Sequence, residues 1–179
     1  EELAAADFDG VDFALFSAGG STSKEHAPRA AAAGAIVIDN SSAWRMDADV
    51  PLVVPEVNPE ALDEIERGIV ANPNCSTIQM VAALEPLRQA VGLERVVVST
   101  YQSASGAGQR GIDELMADVR AALGQGDPPE RVKFAHPLAF EALPHIDVFF
   151  ESGYTREELK MVHETRKIMG LPELEVSAT

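Results

Sequence analysis

The chain has 179 residues, 46% hydrophobic and 24% charged, and its 14 Lys and Arg against 29 Asp and Glu give a formal net charge of −15. That is globular composition, long enough for one full domain or pieces of two, and it excludes a disordered chain. With no Lys/Arg-rich run to offset the acidic balance, nucleic acid and anionic membrane are poor partners, and small-molecule chemistry is favoured.

Residues 11–17 (VDFALFS) are a short apolar run ended by Ala18, Gly19 and Gly20, which predicts a strand and a tight turn. A helix is expected from residue 21 to about residue 33, with Thr22 and Glu25 at capping-box spacing and Gly34 ending it. Residues 35–39 (AIVID) predict a second buried strand, 51–55 (PLVVP) a third, 59–67 a helix and 69–72 (IVAN) a fourth. Strand and helix alternating at this spacing predict a parallel α/β layout, doubly wound.

After Cys75 the elements lengthen, and a domain boundary is expected there, dividing the chain into 1–74 and 75–179. Met80, Leu84, Leu87 and Val91 predict one apolar stripe on a helix over about 76–90. Residues 93–102 read as a strand, and Ile112, Leu115, Met116, Val119, Ala122 and Leu123 as the apolar face of a helix that stops in the 124–129 loop. Residues 136–150 read as loop plus strand, 155–169 as a helix and 174–177 as a last strand. A chain that opens almost directly on a strand and closes as another begins predicts a fragment.

No uncharged stretch approaches the ~20 apolar residues of a spanning helix, so a soluble, cytoplasmic protein is expected. The single cysteine excludes an intrachain disulfide and a multi-Cys zinc site. His26, His136, His145 and His163 show no metal spacing and read as surface or loop residues; no metal is expected.

Cys75 lies in NPNCST, residues 72–77. Pro73 forces Asn72 out of helical angles and Asn74 is a good N-cap, so the thiol falls in the first turn of a helix. The helix terminus favours the thiolate by about 0.3–1 kcal/mol, too little to ionise it fully, so a nucleophile here needs a second helper. The alternative, a small buried hydrophobe, is disfavoured by the polar neighbours Asn74, Ser76 and Thr77. Residues 17–23 (SAGGSTS) could offer backbone N–H groups to a phosphate, but a plain turn explains them equally well, and a full glycine fingerprint is absent. Residues 103–111 (SASGAGQRG) are small enough for close approach to a flat ligand or for a flexible turn. Gln102 reads as a substrate-orienting amide or a polar strand end. Glu157 and Lys160, three apart, fit either a ligand grip or a solvated ion pair. Arg45 fits either an anion clamp or a surface charge.

Taken together, SAGGSTS, DNSSAWRM, VPLVVPEVNPEAL, IVANPNCSTIQMVAALEPL, STYQSASGAGQRGIDEL, ALPHIDVF and YTREELKMVHETRKIM closely resemble the aspartate-β-semialdehyde dehydrogenase family, in the right order over essentially the whole chain. The resemblance implies an α/β fold: the later part of a Rossmann-like NADP domain joined to part of an α+β catalytic and dimerisation domain with a mixed sheet. It implies a homodimer and a reversible reaction of amino-acid biosynthesis, in which aspartate semialdehyde, NADP and phosphate give aspartyl phosphate and NADPH. A thiolate suits this chemistry because it adds to an aldehyde and later leaves from a thioester when phosphate attacks. Cys75 matches the family nucleophile and Gln102 the residue orienting the acyl group. Glu157 matches the residue meeting the substrate amino group, and Arg45, Asn74 and Lys160 match phosphate-site residues. Ser17, Ala18, Gly19, Gly20, Ser105 and Gly106 match cofactor contacts. The resemblance further implies that the first strand and glycine loop precede Glu1, and that an acid/base histidine and a carboxylate-binding arginine follow Thr179. On that basis these 179 residues alone are expected to be inactive. The alternatives are an N-acetyl-γ-glutamyl-phosphate reductase and a non-catalytic dimerisation module.

Overall fold

A computed structural model describes residues 2–179. Three short strands, β1 (Phe13–Phe16), β2 (Ile36–Asp39) and β3 (Ile69–Ala71), form a parallel sheet in that order. Between the first two runs α1 (Gly20–Ala32), and after the third comes α2 (Cys75–Val91). Further along are β4 (Arg95–Val98), α3 (Gln109–Ala122), α4 (Arg156–Met169) and β5 (Glu175–Ala178), with β4 and β5 pairing as a two-stranded sheet.

The described residues group into two compact units, 2–97 with 160–177, and 98–159 with 178–179. Residues 75–97, α2 included, fall in the same unit as the β1-β2-β3 sheet.

In the first unit the strand register puts Ala14, Val37 and Ile69 side by side, and then Phe16, Asp39 and Ala71, all buried on one face. This face continues into Ala27 and Ala30 of α1, Trp44, and Ile168 and Met169 of α4 as one core. The other face carries Phe13 and Leu15, 64% and 78% exposed. A cavity of about 370 Å³ opens there, lined by Phe13, Ile36, Ile38, Leu62 and Val70.

Several expectations are corrected by the backbone. Residues 51–55 make only a single parallel bridge, Leu52 to Ala71, because Pro51 and Pro55 lack the N–H groups that a ladder needs. Residues 59–67 hold a 3-10 turn, Pro59–Glu64, rather than an α-helix. Gly19 takes the N-cap position of α1 at φ +93° with no side-chain cap, so Thr22 and Glu25 form no capping box. Such a box does form at α4: the Thr155 N–H and hydroxyl donate to Glu158, and the Glu158 N–H donates back to Thr155 Oγ1. Residues 136–150 are loop, with one antiparallel bridge between Phe149 and Thr155.

Candidate active site

In the first unit, β3 runs into the Asn72-Pro73-Asn74 turn, and Cys75 is the first residue of α2. Asn74 caps the helix, its side-chain oxygen accepting from the Ser76 N–H at 2.8 Å. The Cys75 thiol is exposed. Open access and a helix start favour a reactive thiol, whereas a structural cysteine is buried.

Beside this turn lies Arg45, which is 8% exposed and so neither a surface charge nor freely mobile. Its Nε donates to the Asn72 carbonyl at 2.9 Å, Nη1 to Glu164 Oε1 at 3.0 Å and Nη2 to the Asn40 carbonyl at 3.2 Å. Three of its five N–H donors are engaged in these bonds. Glu164 Oε2 also accepts the Asn74 backbone N–H at 2.7 Å. One turn on, Lys167 Nζ donates to the carbonyls of Arg45, Asp47 and Val50 at 2.7–2.9 Å. Burial holds the Lys167 ammonium below the usual lysine range, against the pull of Asp47 and Asp49. Lys160, in the same unit, is half-buried.

Sequence reasoning missed Glu164 and Lys167, although a signal was present. Glu157, Met161, Glu164 and Ile168 fall four, three and four apart, which puts both carboxylates on the stripe that α4 buries. Glu157 is only 8% exposed, contrary to a solvated surface ion pair.

The second unit brings Gln102 and Glu157 together. Gln102 Nε2 donates to Glu157 Oε1 at 3.2 Å, and its Oε1 accepts from the Thr100 hydroxyl at 2.9 Å. An amide oriented at one end by a hydroxyl and at the other by a carboxylate has a fixed sense. Ser105 and Gly106 lie in the 3-10 turn Ala104–Ala107, exposed, with the Ser103 and Ser105 hydroxyls 2.5 Å apart.

The turn after β1 leaves the start of α1 open. Ser17, Ala18 and Gly19 are exposed at the carboxyl end of the strand, and α1 starts at Gly20 with no side chain capping its first turn. A Cβ at Gly19 would meet nothing within 4 Å. An open helix start at the carboxyl edge of a parallel sheet fits the phosphates of a dinucleotide.

Of the histidines, His26 departs from expectation. It is 8% exposed on α1, and Arg29 Nη1 lies 2.9 Å from its Nδ1. His136, His145 and His163 lie on a loop or an exposed helical position. Among the described residues no helix is long and apolar enough to cross a membrane.

An exposed thiol where a parallel strand hands over to a helix, with a buried arginine bonded to the same turn, marks the first unit as an α/β fold with an accessible cysteine at a strand end. The chain belongs to the semialdehyde dehydrogenase family: residues 84–179 match its dimerisation-domain model and residues 1–65 its NAD-binding-domain model. It is 62% identical to aspartate-semialdehyde dehydrogenase of Aquifex aeolicus, over 96% of this chain and 51% of that one. To the enzyme of that name from Bacillus subtilis it is 54% identical, over 100% and 53%. A crystal structure of Vibrio cholerae aspartate semialdehyde dehydrogenase II complexed with ASA superposes with a TM-score of 0.95 at 53% identity, covering all of this chain and 53% of that one. The chain thus spans about half the length of the relatives it matches.

Proposed function

We propose that the complete protein to which this chain belongs is an NADP-dependent aspartate-semialdehyde dehydrogenase that converts aspartate semialdehyde and phosphate reversibly to aspartyl phosphate. The observation that carries the reading is the exposed Cys75 thiol at the start of α2, braced through Asn74 and next to Arg45. The relatives' shared name supports the substrate. The open turn at Ser17 to Gly20, and the solved Candida albicans relative with NADP (TM-score 0.67, 25% identity), support the cofactor.

In this reading the Cys75 thiolate adds to the aldehyde carbon and forms a C–S bond. Bound NADP supplies the hydride acceptor. Cys75 then carries a thioester; a phosphate oxygen attacks its carbonyl carbon, the C–S bond breaks, and the thiolate is regenerated as aspartyl phosphate leaves. Glu157 takes the substrate ammonium and Gln102 orients the substrate and acyl carbonyl. Arg45, Asn74 and Lys160 hold phosphate, where charge-assisted hydrogen bonds offset an otherwise acidic protein. Ser17 to Gly20, with Ser105 and Gly106, bind the cofactor. A homodimer is part of the same proposal, supported by exposed Phe140, Val148 and Phe149 within the stretch matching the dimerisation-domain model.

The test is NADPH formation by the complete parent protein. Turnover is expected with aspartate semialdehyde only when inorganic phosphate is added. No turnover, or equal turnover without phosphate, contradicts the reading, and preference for N-acetylglutamate semialdehyde assigns the related reductase activity instead.

A further inference from the structure

Glu164 takes no part in the reaction steps above, yet it sits on the group assigned to phosphate. Its residue is 2% exposed, with Oε1 on Arg45 Nη1 at 3.0 Å and Oε2 on the Asn74 N–H at 2.7 Å. One buried carboxylate therefore ties the guanidinium to the turn that starts α2 at Cys75. Lys167, three residues along, holds the backbone on the other side of Arg45 through three carbonyls. The arginine is held by side chain and main chain from the same helix.

We propose that Glu164 is the positioning residue that sets the phosphate affinity of Arg45, orienting the guanidinium and bracing the Cys75 turn while its charge offsets part of the arginine's attraction for a dianion. The inference rests on the assignment of Arg45 to phosphate made under the proposed function. With side-chain exposures of 9% and 2%, the Arg45–Glu164 pair is little screened by water. Removing the carboxylate charge therefore strengthens the pull on phosphate. A glutamine in its place can still accept from Arg45, but its amide nitrogen then faces the Asn74 N–H, donor against donor, and the turn loosens.

The two effects separate kinetically. Stronger attraction lowers the KM for phosphate, and a looser turn lowers kcat. A carboxylate that merely supported the fold would, when removed, reduce the amount of active enzyme and leave the KM unchanged.

The experiment measures NADPH formation against inorganic phosphate concentration in the complete parent protein, wild type, Glu164→Gln and Glu164→Asp. For Glu164→Gln the KM for phosphate is expected to fall about tenfold and kcat to fall as well. Glu164→Asp keeps the charge but draws it back from Arg45, so KM is expected to fall about two- to threefold with kcat near wild type; this variant carries the test alone if the glutamine variant does not fold. A phosphate KM that is unchanged or raised in the folded variant overturns the inference while leaving the function standing. Absence of phosphate-dependent turnover in the wild type overturns the functional reading and this inference with it.

Discussion

Gly111, in the first turn of α3, packs against the turn that carries Ser105 and Gly106. A Cβ there would lie 2.8 Å from the Ala104 carbonyl oxygen and 2.8 Å from the Ala107 Cβ, whereas at Gly106 it would meet nothing within 4 Å. The first glycine is needed for close packing and the second is not. Gly111→Ala is expected to destabilise the protein by about 1–3 kcal/mol and to raise the KM for NADP, with Gly106→Ala much milder in stability; urea unfolding of the parent variants checks this, and an unmoved Gly111→Ala midpoint would count against it. The position of Cys75 was readable from sequence because Pro73 and Asn74 dictate local backbone, and local backbone is what a short motif encodes. The burial of Arg45 was not, since its partners Asn72 and Glu164 lie 27 and 119 residues away.

The helices show why periodicity located elements better than it assigned their faces. On α2 the buried residues include Thr77, Val81 and Glu85, while Leu87 and Val91 of the expected stripe are 54% and 84% exposed. On α3 the buried positions are Gly111, Glu114 and Asp118. Apolar counting assumes that carboxylates face water; these face inward because each finds donors. Glu85 is lowered from the usual carboxylate range chiefly by its hydrogen bond from Arg88, against burial. For Glu114, burial pushes upward, but the N–H groups of Lys133, Val132 and Phe134 outweigh it and the net shift is downward. Asp118 is lowered by its hydrogen bonds from Arg131, against burial, with help from the Leu138 N–H. The loop at 131–138 is thus pinned to α3 by two carboxylates that the fold prefers ionised. Carboxyl groups lowered in the folded state contribute stability that is complete above their unfolded-state pKa, and it is lost as pH falls through the folded value. Asp118→Asn is therefore expected to cost about 1.5–3 kcal/mol near neutral pH and to make stability less dependent on acid. Urea midpoints measured from neutral pH downward check this: parallel curves for variant and wild type would contradict it.

Across the molecule, the parallel β1-β2-β3 sheet sets both candidate features of the first unit at strand ends, the glycine turn after β1 and the cysteine turn after β3. That arrangement was readable from sequence, because alternating short apolar runs and glycine-bounded helices admit few other layouts. Which alternate residues of the strands join the main core, Ala14 and Phe16 rather than Phe13 and Leu15, was not, since strand composition alone does not tell one face from the other. The reaction proposed for the complete protein depends on sulfur at position 75 as nucleophile and leaving group. The most direct measurement is the rate of phosphate-dependent NADPH formation by the complete parent and by its Cys75→Ser variant, with aspartate semialdehyde saturating. A loss of about a thousandfold or more in kcat, in a protein that unfolds at the wild-type urea midpoint, is expected; turnover within tenfold of wild type would contradict the account.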